Sequence, residues 1–187
     1  MDEMVLKAML KWPNVPSCAG WLGLDGRGDW FMRDDRAQGL GPFSGEQSGK
    51  KANVDSKGSK LNHDGLLAFI GRNYACDDLG QWYFQNGPQR VFVELTHAPW
   101  VWRLDPSGSG QVVSHTGRPA VVQTALCDED GLVYLNTDLG LGLVHSQDMC
   151  LCADAIDQGL WPMSATVKRQ DLPATFHFVR SPQGAHN

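Results

Sequence analysis

From Cys76 to His145 the chain alternates short apolar or β-branched runs with glycine turns, and this spacing constrains the fold more than any other feature. Candidate strands are Gln81–Gln85, Arg90–Leu95, Trp100–Leu104, Gln111–His115, Val121–Leu126, Leu132–Asn136 and Leu141–His145. Between them stand Asn86-Gly87-Pro88, Asp105–Gly110, Gly117-Arg118-Pro119, Asp128–Gly131 and Thr137–Gly140, residues that supply the positive φ or fixed φ of tight turns. Runs this short, joined this tightly, predict an antiparallel meander. Glycine makes up 21 of 187 residues, well above the usual share of about 7%, as a turn-rich chain requires.

Two helices are expected beside the strands. Met1, Met4, Val5, Ala8, Met9 and Trp12 form one helical stripe, with Asp2 as the cap and Pro13 as the stop. Leu66, Leu67, Ile70 and Tyr74 form a second stripe, capped by Asn62 or Asp64. Trp21–Leu24 and Trp30–Met32 read as a hairpin around Asp25–Gly28, Met149–Ile156 as a short helix, and Thr166–Lys168 with Phe176–Arg180 as a last hairpin. Leu40–Lys60 is polar, nearly without apolar residues, and reads as a mobile insertion. The expected fold is therefore α+β: antiparallel hairpins or a meander, with two helices packed on the sheet. It forms one unit over residues 1–187, or two halves of about 1–104 and 105–187.

Asp25–Met32, Asp77–Phe84 and Asp128–Leu135 resemble one another: Asp and Gly close a turn, and aromatic or apolar residues open a strand. Shared turn chemistry and duplication of a strand-turn-strand unit both account for this.

Charge and length exclude several classes. The net charge of −5 argues against a binder of nucleic-acid backbones, and no apolar run approaches the ~18 residues of a membrane span. Pro119–Val167 holds seven acids and no Lys or Arg, which reads as a solvated acidic face or a docking surface for a basic partner. Met1–Trp12 is interrupted by charges and does not read as a signal peptide. Five cysteines, an odd number without scaffold spacing, fit free thiols in a reducing cytoplasm.

The blocks Lys11-Trp-Pro-Asn-Val-Pro16, Gly20-Trp-Leu-Gly-Leu-Asp25, Arg72-Asn-Tyr74 and Trp82–Val91 resemble those of a family of uncharacterised bacterial proteins, a domain of unknown function. The resemblance runs from about Val5 to Leu104 and loosely to Cys152. It implies no activity or cofactor. Trp30–Leu104 also resembles, more remotely, a second uncharacterised family with the same hairpin–helix–hairpin order and an Ala98-Pro99-Trp100 strand start. The chain departs from the first pattern in the small residues Ser17 and Ala19 around Cys18 and in the length of Leu40–Lys60.

Standard chemical motifs are absent. Gly140-Leu-Gly142 lacks a third glycine and a following helix, so no phosphate loop is formed. His145, Cys150 and Cys152 lack a fourth ligand, and the expectation is no metal and no cofactor. No nucleophile elbow surrounds any serine; Asp77 and Asp128 read as turn carboxylates before acid–base partners, and no catalytic residue is assigned. The candidate binding residues are Arg72, Tyr74, Tyr83, Asn86, Gln89 and Arg90, with Arg72 and Arg90 converging on an anionic group. The same block also reads as a plain hairpin whose Arg90 pairs with Glu94. The leading expectation is a non-catalytic cytoplasmic binding or regulatory module for a small molecule or protein, without nucleic-acid or membrane partners. The runner-up is an enzyme, hydrolytic in one version, around Cys127, His97 or His115. A homo-oligomer joined through edge strands and Trp residues is the third.

Overall fold

The computed structural model describes residues 1–164 and 166–182. The chain divides into two units, one of residues 1–25, 29–96 and Phe178 onward, the other of residues 26–28 and 97–177. The division falls between Thr96 and His97, earlier than the expected 104/105, because Trp100–Leu104 is the first strand of the second sheet.

The first unit holds α1 (Glu3–Lys11), β1 (Cys18–Leu24), β2 (Trp30–Met32), α2 (Asp35–Leu40), the small hairpin β3 (Glu46–Gln47) and β4 (Lys50–Lys51), β5 (Ser59–Lys60), α3 (Asp64–Arg72), β6 (Tyr74–Cys76), β7 (Trp82–Asn86) and β8 (Gln89–Leu95). Six strands form one sheet in the order β5-β2-β1-β8-β7-β6. Its hairpins are antiparallel, but β8 returns beside β1 in parallel, so the sheet is not a simple meander. Leu22, Leu24, Val93 and Leu95 of this central pair are buried. α3 packs on the sheet through Phe69, edge-on to Phe84 at 5.4 Å.

Asp2 stands at the N-cap of α1 as expected, whereas the cap of α3 differs from expectation. His63 Nδ1 accepts from the Leu66 amide and caps α3 in place of Asn62 or Asp64. Asp2 makes no side-chain cap; its carboxylate takes the Arg72 guanidinium instead. Of the α1 stripe only Val5 is fully buried, while Met4 remains 79% exposed. Tyr74, read as helical, begins β6.

Leu40–Lys60, expected to be mobile, has a defined structure held by a buried cation. Arg33 is 1% exposed and donates to the carbonyls of Ser56 (2.8 Å), Gly41 (2.6 Å) and Gly20 (3.3 Å). Ser56 Oγ donates to the Pro42 carbonyl, and Asp34 caps α2 by accepting from the Ala37 amide. Phe43 is fully buried against Gly23, where an added Cβ would come within 2.5 Å of the ring. Polar bonds and the single buried ring of Phe43 anchor the segment, which otherwise has the composition of a disordered one.

The second unit holds β9 (Trp100–Leu104), β10 (Val112–Ser114), β11 (Pro119–Ala120), β12 (Val122–Cys127), β13 (Val133–Thr137), β14 (Gly140–Val144), α4 (Met149–Asp157) and α5 (Leu172–Thr175). Its sheet runs β11-β10-β9-β14-β13-β12, again with the first and sixth strands parallel and central. The strand order is that of the first sheet. Trp100 and Trp102 stack at 5.9 Å and are buried on β9, donating their indole N–H groups to the carbonyls of Leu139 and Leu135. Gly142 makes room for them; a Cβ there would lie 2.7 Å from Trp100 Cβ.

The three similar turns share chemistry but not position. Asp77 and Asp128 each accept, through Oδ1, the amides two and four residues on, and each turn closes the hairpin between the fourth and fifth strands of its sheet. Asp25 accepts the Asp29 amide in the same manner, but joins the first two strands of its sheet. The expected C-terminal hairpin is replaced by a 3-10 turn at Arg169–Asp171 and by α5, where Pro173 near the helix start lacks an N–H to lose.

Candidate functional site

The hairpin of β7 and β8 carries most of the candidate binding residues. Register pairs Asn86 with Gln89, leaving Gly87 and Pro88 as a two-residue turn. Gly87 has φ +57, and an added Cβ would meet nothing within 4 Å, so the backbone angle alone calls for glycine. Positive φ followed by proline's fixed negative φ is the type II′ pattern, whose twist matches that of paired strands.

Alternation then separates the side chains. Trp82, Phe84 and Asn86 share one face; Tyr83 and Gln85 share the other, opposite Phe92 and Arg90. Arg90 is exposed and lies over the buried Tyr83 ring at 4.7 Å from its centroid. Among the described residues no ion pair includes Arg90. The expected Arg90–Glu94 pair is not formed: Glu94 is 3% exposed and interacts with Ser181 and Arg33. A guanidinium laid on an aromatic ring keeps its in-plane N–H groups directed outward, the geometry that suits a carboxylate or phosphate.

The remaining candidates divide. Arg72 does not converge with Arg90 on a common group; its Nε donates to both Asp2 oxygens at 3.1 and 3.2 Å. Tyr74 is a core residue, 4% exposed, edge-on to Trp30 at 5.2 Å and tilted on Trp82 at 4.8 Å. Its burial pushes the phenol well above the usual tyrosine range. Gln89 Nε2 donates to the Pro16 carbonyl at 3.0 Å, which ties the hairpin to the chain entering β1. Asn86 is exposed at the tip, on the face opposite Arg90.

Burial shifts three of the nucleophile and base groups. Burial pushes the Cys76 and Cys152 thiols up to about 11, with Asp77 and Asp78 adding to the effect at Cys76. Burial pulls His115 down to about 3, and its Nδ1 accepts from the Val101 amide. Cys127 Sγ donates to the Asp128 carbonyl. His97 Nδ1 lies 3.5 Å from the Tyr134 hydroxyl. Cys150 and Cys152 stand two apart on α4, one exposed and one buried, so they do not share a face with which to bind metal. Among the described residues no group of three or more His, Cys, Asp or Glu is placed to hold a metal ion, and no helix is long and apolar enough to cross a membrane.

Two polar clusters carry no signature in the sequence. In the second unit Asp128 is 2% exposed; its Oδ1 accepts the Asp130 and Leu132 amides, and its Oδ2 accepts Tyr134 Oη and Arg169 Nε. Burial alone would raise this carboxyl, but the Leu132 amide, Arg169 and the Asp130 amide outweigh it and hold it below the usual range. In the first unit Arg33 and Glu94 are both buried and act on each other electrostatically. Their long-range members, Arg169 for Asp128 and Arg33 for Glu94, are distant in sequence, so spacing does not reveal them. Two surface depressions, about 240 Å³ beside α2 and about 170 Å³ beside α4, are below the roughly 300–1,000 Å³ of ordinary small-molecule pockets.

Comparison with solved structures finds two crystal structures of DUF1285 family proteins. One, from Silicibacter pomeroyi DSS-3, is 12% identical, with 82% of this chain and 84% of that chain covered and a TM-score of 0.49. The other, from Shewanella baltica OS155, is 15% identical, with 72% of this chain and 91% of that chain covered and a TM-score of 0.44. No curated protein matches. The family described as "Protein of unknown function (DUF2946)" matches residues 1–183, which takes in the sequence blocks of the hairpin and of both units, and the chain belongs to that family.

Proposed function

We propose that the protein is a non-catalytic cytoplasmic binding module that presents Arg90 to a carboxylate or phosphate group of a small molecule or protein partner. The observation that carries this reading is the exposed Arg90 guanidinium, supported from below by Tyr83 and outside every ion pair of the described residues. Gln89 and the Gly87-Pro88 turn hold the strand that bears it, and Asn86 adds an exposed amide at the tip. A non-catalytic role accords with thiols held protonated and with Asp128 engaged on both oxygens.

The test is native mass spectrometry of the purified protein, followed by titration of the wild type and Arg90→Ala with citrate, phosphate and an acidic peptide. Arg90→Ala weakens binding at least tenfold while melting shifts by no more than about 1 °C, since an exposed side chain contributes little to stability. A drop of several degrees assigns Arg90 to structure and overturns the reading. Hydrolase activity in a broad screen that disappears in Cys127→Ala favours the enzymatic alternative.

A further inference from the structure

The two units repeat one motif at a fixed offset of 51 positions: Cys76, Asp77, Gly80 and Tyr83 return as Cys127, Asp128, Gly131 and Tyr134. The pairing repeats with it. Tyr74, Ala75 and Cys76 face Phe84, Tyr83 and Trp82, and Ala125, Leu126 and Cys127 face Leu135, Tyr134 and Val133. In both turns the aspartate amide donates to the carbonyl four residues on at 3.0 Å, and the glycine amide donates to the aspartate carbonyl at 3.1 Å. The cysteine thiol donates to that same carbonyl in each. β6 and β12 are each the last strand of their sheet.

The outer edges of these two strands differ. That of β12 carries a segment of its own chain in parallel. The Ala125 amide donates to the Pro162 carbonyl (2.9 Å), the Ala125 carbonyl accepts from the Ser164 amide (2.8 Å), and the Cys127 carbonyl accepts from the Val167 amide (2.9 Å). Two residues later Arg169 ends the run on the acids of the turn. Its Nε donates to Asp128 Oδ2 at 3.0 Å, its backbone amide to Glu129 at 2.7 Å, and a second guanidinium nitrogen to Asp130. Among the described residues β7 alone pairs with β6. Cys76 is exposed there. The Asn73 carbonyl and the Asp77 amide are engaged on the β7 side, so alternation directs the Cys76 carbonyl outward, as the Cys127 carbonyl is directed.

The turn beside β6 keeps the acidic character of its counterpart. Asp77 and Asp78 stand in the places of Asp128 and Glu129, and the exposed Leu79 in that of Asp130. Asp77 Oδ1 accepts the Leu79 and Gln81 amides, as Asp128 Oδ1 accepts those of Asp130 and Leu132. Oδ2 is the oxygen that Arg169 takes in the second unit. On Asp77 it receives Gln81 Nε2 at 3.3 Å, at the long end of hydrogen bonding, and Oε1 of that same amide has no donor. A guanidinium offers several donors in one plane to such a pair of acceptors.

We propose that the edge of β6 is a docking site for an extended segment of a partner protein, added in parallel, with an amide on the Cys76 carbonyl and an arginine two residues later on Asp77. Residues 162–169 on β12 give the pattern of such a segment, and the turn carboxylates give its charge. Backbone bonds to a sheet edge supply affinity, and the anchoring side chain supplies selectivity. This site receives a cation and is independent of the anion-binding reading of Arg90.

The probe is a synthetic peptide with the sequence of residues 162–169, titrated into the full chain and followed by amide NMR shifts. Saturable binding with a dissociation constant below about 1 mM is expected, with shifts at Cys76, Asp77 and Leu79. Replacing the peptide's arginine by alanine, or methylating the amide of its valine, weakens binding about threefold or more, as does Asp77→Asn in the protein. Absence of saturable binding, or equal affinity of the peptide variants, overturns the proposal. So do shifts confined to Val122–Asp128, where the peptide displaces the chain's own segment. Concentration-dependent shifts of the β6 amides without peptide assign the edge to a second copy of the chain and overturn it as well.

Discussion

Replacing Arg33 tests the claim that a single buried cation orders Leu40–Lys60. In Arg33→Met a chain of similar length remains, but the carbonyls of Ser56, Gly41 and Gly20 lose their shared donor. Hydrogen bonds from a charged group contribute roughly 1.5–3 kcal/mol each, and a carbonyl left buried without a donor costs about 1–3 kcal/mol. The 2.8 and 2.6 Å bonds count fully and the 3.3 Å bond weakly. Methionine avoids the desolvation of the guanidinium and recovers part of the packing. The net expectation is a loss of roughly 3–6 kcal/mol, a large fraction of the about 5–15 kcal/mol that holds an ordinary domain. Arg33→Lys recovers little, because one ammonium does not span three carbonyls as a planar fork does. Urea denaturation gives the magnitude. Limited trypsin digestion gives the location, with early cleavage at Lys50, Lys51 and Lys57 in the variant and resistance in the wild type. A loss under about 1 kcal/mol, or a wild type already cut rapidly at those lysines, refutes the reasoning and restores the segment to a mobile loop.

Other consequences follow from single contacts. Gly142→Ala forces a methyl group against Trp100 and Trp102 and lowers stability by about 2–3 kcal/mol, whereas Gly87→Ala meets no atom and costs about 1 kcal/mol for its positive φ alone; thermal melts rank the two. Asp128→Asn costs about 2–4 kcal/mol by weakening its hold on Arg169 and the turn amides. Because the folded Asp128 carboxyl is lowered, its contribution is present above the ordinary value near 3.8 and is lost as pH falls through the folded value; acid unfolding curves of the wild type and Asp128→Asn therefore converge below that pH. Cys76 is exposed yet held near 11, so only ~0.1% is thiolate at pH 8, and iodoacetamide modifies it far more slowly than a model thiol; rapid labelling of Cys76 by peptide mapping would contradict this.

Local chemistry made much of the fold legible. The seven expected strands between Gln81 and His145 lie within one residue of observed bounds, because turn residues punctuate them and alternation marks their faces, whereas β11 falls where Gly117-Arg118-Pro119 reads as a turn. Gly87-Pro88 announces its turn without any tertiary information. Where local cues compete, the outcome differs: His63 rather than Asn62 or Asp64 caps α3, and Asp2, at the N-cap of α1, turns its carboxylate to a residue seventy positions away instead of to the helix amides. Leu40–Lys60 lacks the apolar periodicity that marks burial, and its anchor, Arg33, lies outside it. In the candidate site, the placement of Arg90 on the same face as Tyr83 follows from strand alternation, whereas the engagement of Arg72 and Tyr74 elsewhere depends on Asp2 and Trp30.

The sequence by itself determined the α+β class, the hairpins and the position of Arg90 beside an aromatic strand, because each depends on neighbours within a few residues. Tertiary structure alone decided the parallel pairing of β1 with β8 and of β9 with β14, the return of Phe178–Ser181 to the first sheet, and the burial of Arg33, Glu94 and Asp128. Those outcomes depend on which distant groups share one low-dielectric volume, and a buried charge is stable only where the whole fold brings it partners.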